Sequence, residues 1–387
     1  MVRDKLALRT ATLTESATLA LNAKAKSMAA SGKTIYNLTA GELATETPIN
    51  IQVAVSKKLN HNKYTPVAGL ADLRQSIADY AKQYYGLDWI KSENVIVTSG
   101  AKPALYATFL SLINPGDEVI VLTPAWVSYV DLIQLVGGVV VPVALTETYD
   151  LDIDKISKAF TSKTKAIIIN SPNNPTGSVY SKESLKAVSK IVNKSDITVI
   201  SDDIYSKLIF VDDYFLPAKA GFNDLVIISG FSKSQSLTGW RIGYLIAKEP
   251  IAKAATKFLS HITGNAPLPS QIAGIEAMTK NDSPPAETIN SLKDNRKILV
   301  EGLSKIPGIK FNIPSGAFYV YLDLRALTDN SLNWCEDLLN ETGVAIVPGD
   351  AFLTPGYARL TFSGDPLILK KALKELNNFV LQGVSNA

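Results

Sequence analysis

Residues 225–247 read LVIISGFSKSQSLTGWRIGYLIA, two apolar, β-branched runs joined by a stretch whose only charges are Lys233 and Arg241. Continuous apolar runs without in-out alternation suit strands that are covered by helices on both faces of a sheet. Toward the N-terminus the same kind of run recurs at residues 197–201, 166–170, 139–143, 118–122 and 95–98. With residues 225–229 and 242–247 they predict seven buried strands. Segments of helical period separate them, at residues 102–113, 126–136 and 181–192. This alternation predicts an α/β fold on a seven-stranded, mostly parallel sheet covered by helices.

Beyond this region the pattern changes. Residues 281–285, NDSPP, break the chain, and a charged helix is expected over residues 286–305. Shorter strands of antiparallel character follow at 308–313, 316–324, 344–347 and 359–362. The first forty-odd residues hold one amphipathic helix and an extended piece, too little to fold alone. We expect a large domain at residues 47–281 and a small α/β domain assembled from both chain ends, 1–46 and 282–387.

Composition narrows the function. The net charge is only +3 and the longest basic clusters are pairs such as Lys57-Lys58, so no nucleic-acid footprint is present. A single cysteine, Cys335, excludes an intrachain disulfide. His61 and His261 have no carboxylate spacing for a zinc site, so no metal is expected and all three residues are read as structural. The longest uncharged stretch, residues 258–275, contains two prolines and does not fit a membrane helix. The first 21 residues interrupt their apolar positions with charges and hydroxyls, unlike a signal peptide, so a cytoplasmic location is expected.

In open parallel sheets ligands bind beyond the carboxyl ends of the strands. Four strand endings carry chemistry. After residue 98 comes Gly100-Ala101-Lys102, a small-residue turn that opens a helix and offers free backbone N–H groups to a phosphate. After residue 169 comes Asn170-Ser-Pro-Asn-Asn174-Pro-Thr-Gly177; after residue 201 come Asp202 and Tyr205. The fourth ending is the Lys233–Arg241 stretch. A desolvated lysine loses proton affinity and, as a free amine, can form a Schiff base. The chain has only seven arginines against 32 lysines, and one of the seven, Arg241, follows Lys233 by eight residues, where its guanidinium can clamp a phosphate bidentately. Amine, guanidinium, phosphate seat, carboxylate and phenol together suit pyridoxal phosphate. Trp126 is available to stack on its ring.

These residues resemble the class I aminotransferases among the fold type I pyridoxal-phosphate enzymes, and most of all bacterial aspartate aminotransferases. Matching stretches include Ser16–Lys24, Leu38-Thr-Ala-Gly41-Glu42, Lys63-Tyr64-Thr-Pro-Val-Ala-Gly69, Pro124-Ala-Trp126-Val-Ser-Tyr129 and Ala358-Arg359-Leu-Thr-Phe362. The resemblance implies that Lys233 is the Schiff-base lysine and proton carrier and that Asp202 pairs the pyridinium. It implies that Tyr205 and Asn174 bond the ring oxygen, that Trp126 stacks, and that Arg241 and the Gly100-Ala101-Lys102 turn hold the phosphate. Arg359 would take the substrate α-carboxylate, with Gly41, Trp126 and Asn174 lining the same pocket. Tyr64 would reach the phosphate of a partner subunit, which implies a homodimer with shared active sites.

Three departures bear on substrate. No arginine stands near residues 261–265, where better-known aspartate aminotransferases have one for the distal carboxylate. In the similar bacterial subgroup a lysine at the position of Lys102 takes that task, assisted here by Ser16 and Thr18; Lys102 stands equally as a solvent-facing lysine at a helix start. Thr14 replaces a lysine found in relatives that accept prephenate. Gly230 replaces a serine that binds phosphate in some relatives. The reading is aspartate:2-oxoglutarate transamination; an aminotransferase for aromatic or other amino acids, a β-lyase on the same fold and a non-catalytic sensor remain alternatives.

Overall fold

The computed structural model describes residues 7, 10, 17–279 and 282–385. Thr14 and Ser16, and the side chain of Thr18, lie outside the described residues.

A two-residue strand β1 (Tyr36–Asn37) precedes the seven strands of the main sheet. These are β2 (Val95–Thr98), β3 (Glu118–Thr123), β4 (Val139–Ala144), β5 (Thr164–Asn170), β6 (Thr198–Asp202), β7 (Leu225–Gly230) and β8 (Gly243–Ile246), in the spatial order β2-β8-β7-β6-β5-β3-β4. All neighbours are parallel except β8, which runs antiparallel to both β2 and β7. Its reversal follows from the connection, since residues 231–242 contain no helix to carry a parallel crossover. Two apolar layers sandwich the sheet, one around Leu73, Ile77 and Phe231, the other around Phe109, Ile133 and Leu259.

Seven strands stand where the sequence places them, but not all are buried. β4 is one of the two edge strands, and Val139 is 47% exposed. Its valines still touch both layers, Val140 the one around Phe109 and Val141 the one around Leu73, but only Val143 is buried. Trp126 precedes the expected helix rather than starting it, since that helix spans Ser128–Leu135.

The remaining strands are β9 (Lys310–Phe311), β10 (Tyr319–Asp323), β11 (Val344–Ala345), β12 (Val347–Pro348) and β13 (Tyr357–Thr361). β12-β13-β10-β9 form an antiparallel sheet whose core includes Leu299, Leu322 and Leu376. The expected strand at 344–347 is divided at Ile346. Its first half leaves this sheet and pairs in parallel with β1, so the strands here are not all antiparallel. Leu21 and Ala25 of the helix Ala17–Ala30 pack on Leu339 and Ala345. The N-terminal segment thus gains its core from residues some three hundred positions downstream, as a piece too short to fold alone requires.

Candidate active site

Each strand ending singled out above lies at the carboxyl edge of the main sheet, around one cavity of about 500 Å³. The floor comes from β6. Asp202 is 4% exposed; its Oδ2 accepts the Tyr129 hydroxyl at 2.6 Å, and its Oδ1 accepts the Ile204 N–H at 3.3 Å. Burial pushes its carboxyl up to about 6, with both hydrogen bonds opposing. The Asn170 amide donates to the Asp202 carbonyl at 2.9 Å and accepts the Asn174 N–H at 2.9 Å, so the loop after β5 is keyed to the end of β6.

The cationic side is built by the segment after β7. The Lys233 ammonium donates to the carbonyl of Gly41. Burial lowers its proton affinity to about 8; Glu42 opposes this, while the charges of Arg241 and Arg359 add to it. The Arg241 side chain crosses Gly100, where a Cβ would lie 2.6 Å from its Nη2. Gly100 has φ +98° and caps the helix Ala101–Leu112 without a side-chain bond, which leaves the first amides of that helix open. A Cβ at Gly243 would meet Ala101 N and Gly100 C at 2.7 Å, so strand and turn touch backbone to backbone. Gly230 is held the same way against Gly243, at 2.8 Å, and has no room for a serine. Ser232 lines the cavity instead.

Arg359, on β13, reaches the cavity from the other sheet. It is 3% exposed; Nη1 donates to Asn174 Oδ1 at 3.0 Å and Nη2 to the Thr39 carbonyl at 2.7 Å. Its guanidinium lies 4.6 Å from the ring of Tyr319 and 5.0 Å from that of Phe352. Its Nε is buried with no acceptor, a donor left for an anion. Trp126 lines the same cavity, and the Lys102 ammonium stands 5.1 Å from its ring.

Gly41, Ala101, Lys102, Trp126, Asn174, Asp202, Tyr205, Lys233, Arg241 and Arg359 therefore share one cavity, with Gly100 directly behind Arg241. Tyr64 does not. It is 97% exposed and contributes nothing to the cavity of its own chain. Sequence reasoning passed over Tyr129, the partner of Asp202, and Tyr319, whose hydroxyl shares a 2.9 Å bond with Tyr205 and stands 2.7 Å from where a Gly41 Cβ would lie. Tyr129 sits in the quoted Pro124–Tyr129 stretch, three residues from Trp126, which was its one available signal. No group of three or more possible metal ligands occurs among the described residues, and burial pushes the Cys335 thiol far up.

The residues fit pyridoxal phosphate. An uncapped helix start beside Arg241 suits its phosphate, a buried carboxylate suits its ring nitrogen, and a buried amine of reduced basicity suits its aldehyde. Such a seat on such a sheet is that of the fold type I pyridoxal-phosphate enzymes.

Residues 33–376 match the family described as aminotransferase class I and II. An aspartate aminotransferase of Thermotoga maritima is 39% identical over 371 residues, 94% of this chain and 96% of that protein. An asparagine–oxo-acid transaminase of Streptococcus mutans is 36% identical over 391 residues, 97% of this chain and 99% of that protein. The solved aspartate aminotransferase of Thermus thermophilus with maleate aligns at TM-score 0.93 and 36% identity, covering 97% of this chain and 99% of that one. Within the fold type I enzymes, this chain belongs to the class I and II aminotransferases.

Proposed function

We propose that the enzyme moves the amino group of L-aspartate to 2-oxoglutarate, giving oxaloacetate and L-glutamate in two alternating half-reactions. One observation carries the choice of a dicarboxylic substrate: besides Lys233 and Arg241, the cavity is lined by two more cationic side chains, those of Arg359 and Lys102. The aspartate aminotransferases among the relatives support the same reading.

Arg359 receives the α-carboxylate, and Asn174 and the Thr39 carbonyl hold its guanidinium in place. Fixing that carboxylate fixes which bond at Cα faces Lys233, which raises the share of the reactive conformer. Lys233, with a proton affinity near 8, has an appreciable neutral fraction near neutral pH, and its Nζ takes and returns the Cα proton. Asp202 would keep the ring nitrogen of pyridoxal phosphate protonated, and Tyr205 and Asn174 would bond its ring oxygen. Trp126 would cover the ring face, and Arg241 with the backbone N–H groups of the Gly100-Ala101-Lys102 turn would hold the phosphate, leaving the Lys102 side chain for substrate. When bound, pyridoxal phosphate supplies an aldehyde that accepts the amino group and a protonated ring that draws electrons from Cα. Lys102 also reads the distal carboxylate.

The test is a pair of half-reactions followed by the absorbance of the bound cofactor. Aspartate and glutamate should convert the protein fully to its pyridoxamine form and oxaloacetate should restore it; release of pyruvate and ammonia with no amino acceptor would sink the proposal. A Lys102→Met variant should lose aspartate and keep alanine.

The same reading makes the protein a cytoplasmic homodimer. The exposure of Tyr64, together with that of Ile49 (71%) and Leu59 (65%), supports a partner that takes up this face and receives Tyr64 at its phosphate. Mixing Tyr64→Phe and Lys233→Ala chains should restore part of the activity that Tyr64→Phe homodimers lose. No helix among the described residues is long and apolar enough to cross a membrane. We assign residues 47–281 to the cofactor-holding domain and 1–46 with 282–387 to the smaller one.

A further inference from the structure

Lys233 stands in residues 231–242, a stretch with neither helix nor strand and few bonds of its own; Gln235 N–H reaches the Phe231 carbonyl at 3.1 Å and Trp240 N–H the Leu237 carbonyl at 3.2 Å. Its position is set from outside. The three residues behind the lysine each bond to a distant segment. Ser234, 2% exposed, donates its hydroxyl to Asp282 Oδ1 at 2.5 Å. Gln235, 5% exposed, donates its amide to the Ser283 carbonyl at 2.7 Å. Ser236, with φ +54°, shares a 2.6 Å bond with Thr45.

Asp282 is the buried carboxyl among these ties. It is 2% exposed with φ +51°, and it leads into the helix Ala286–Leu303. Burial pushes its carboxyl up, while the Ser234 bond and the Lys207 charge pull it back down. Tyr84 and Tyr244 also feel its charge. Lys207 belongs to the turn after Asp202 and Tyr205; its ammonium bonds the Tyr80 hydroxyl and lies 3.8 Å from the Tyr84 ring centre. One carboxyl thus bonds the loop of Lys233 and acts electrostatically on the turn after Asp202 and Tyr205. Burying a charge is costly, and a pair serving stability alone is served as well by apolar side chains.

We propose that Asp282 is a positioning residue for Lys233: bonded to Ser234, it clamps the residue behind the lysine and thereby fixes where the amine stands. This rests on the assignment of Lys233 above. The clamp acts on the lysine and not on the phosphate seat, so ligands that do and do not bond to Nζ separate it from a structural role. Pyridoxal phosphate forms that bond; pyridoxamine phosphate fills the same seat without it.

The experiment measures the affinity of the protein, stripped of cofactor, for both ligands by fluorescence quenching, with borohydride trapping to locate the adduct. Ser234→Ala and Asp282→Ala should each weaken pyridoxal phosphate about ten-fold, the worth of one buried charge-assisted hydrogen bond, and change pyridoxamine phosphate by less than about two-fold. Because the two residues act through one bond, the double variant should lose about ten-fold, not about a hundred-fold. Ser234→Thr, which keeps the hydroxyl, should restore affinity. Equal losses for both ligands, no loss for either, or multiplying losses would each overturn the inference. If Asp282→Ala does not fold, Ser234→Ala against Ser234→Thr decides it with the same two ligands. A wild-type protein that gives no adduct at Lys233 would instead overturn the assignment of the lysine itself.

Discussion

Asp203 offers a strong test of how this site is built, because the residue next to Asp202 is a buried carboxylate with no evident task. It is 1% exposed; Oδ1 accepts the Ser201 hydroxyl at 2.6 Å and Oδ2 has no partner. Burial raises its carboxyl from 3.8 to about 7; the Ser201 hydroxyl and the nearby Tyr85 hydroxyl oppose the rise and the Asp202 charge adds to it. The folded chain therefore holds this proton up to about pH 7, whereas the unfolded chain gives it up near 4. Between those values the native state binds more protons, so this group lowers stability as pH rises, and the loss levels off above pH 7. At about 1.4 kcal/mol per pH unit, the whole effect is about 4 kcal/mol, of which about 3 falls between pH 5 and pH 8. Asparagine does not titrate. Its substitution adds a roughly constant cost or gain of its own, but the stability of Asp203→Asn relative to the parent should rise by about 3 kcal/mol from pH 5 to pH 8. Urea unfolding of the cofactor-free protein, at one chain concentration and both pH values, measures that difference directly. A relative stability that stays constant within about 0.5 kcal/mol would refute the reasoning, because it would mean that the Asp203 carboxyl titrates alike in both states.

Arg359→Lys should reduce kcat/KM for aspartate about 100-fold, mostly through KM, since an ammonium cannot hold Asn174 and Thr39 while offering a planar fork; steady-state kinetics with aspartate and with glutamate checks this. Tyr129→Phe removes the hydrogen bond that favours ionised Asp202, so the acid limb of pyridoxal-phosphate binding should move up by about one pH unit, as read from affinity at stepped pH. Gly100→Ala forces a Cβ into the Arg241 guanidinium at a left-handed backbone position; it should weaken pyridoxal phosphate by about ten-fold or more while leaving pyridoxal, which has no phosphate, unaffected.

Much of the main sheet was legible because helices cover both faces of its inner strands, and strands of that kind are apolar throughout. The direction of β8 was not legible from its own residues, since Gly243–Ile246 is four buried residues that read alike either way. The signal lay in residues 231–242, which are too irregular to carry a crossover helix. The division at Ile346 was invisible because both halves are short and fully buried, and pairing partners nearly a chain length away decide which sheet each joins. In the site, Lys233 and Arg241 stood out as charges in uncharged surroundings, and Asp202 as an acid at a strand end. Tyr129 and Tyr319 did not, because their roles depend on hydroxyl contacts across 73 and 114 residues of sequence. No spacing rule carries that information.

The backbone contact among Gly100, Ala101 and Gly243 also orders events in time. Every residue assigned to the phosphate and the ring of the cofactor within one chain has been synthesised by the time β8 is made, whereas Arg359 follows more than a hundred residues later. The partner of β1 arrives late as well, so the segment carrying Gly41 stays unpaired until Val344–Ala345 emerge. Once the covering helices Glu249–Ile262 and Leu268–Met278 have followed β8, a chain growing on the ribosome holds the residues proposed to seat pyridoxal phosphate before it holds the one proposed to grip an amino acid. A ligand that binds only the folded sheet stabilises it by mass action, so cofactor supply during translation becomes a determinant of yield, separate from its part in turnover.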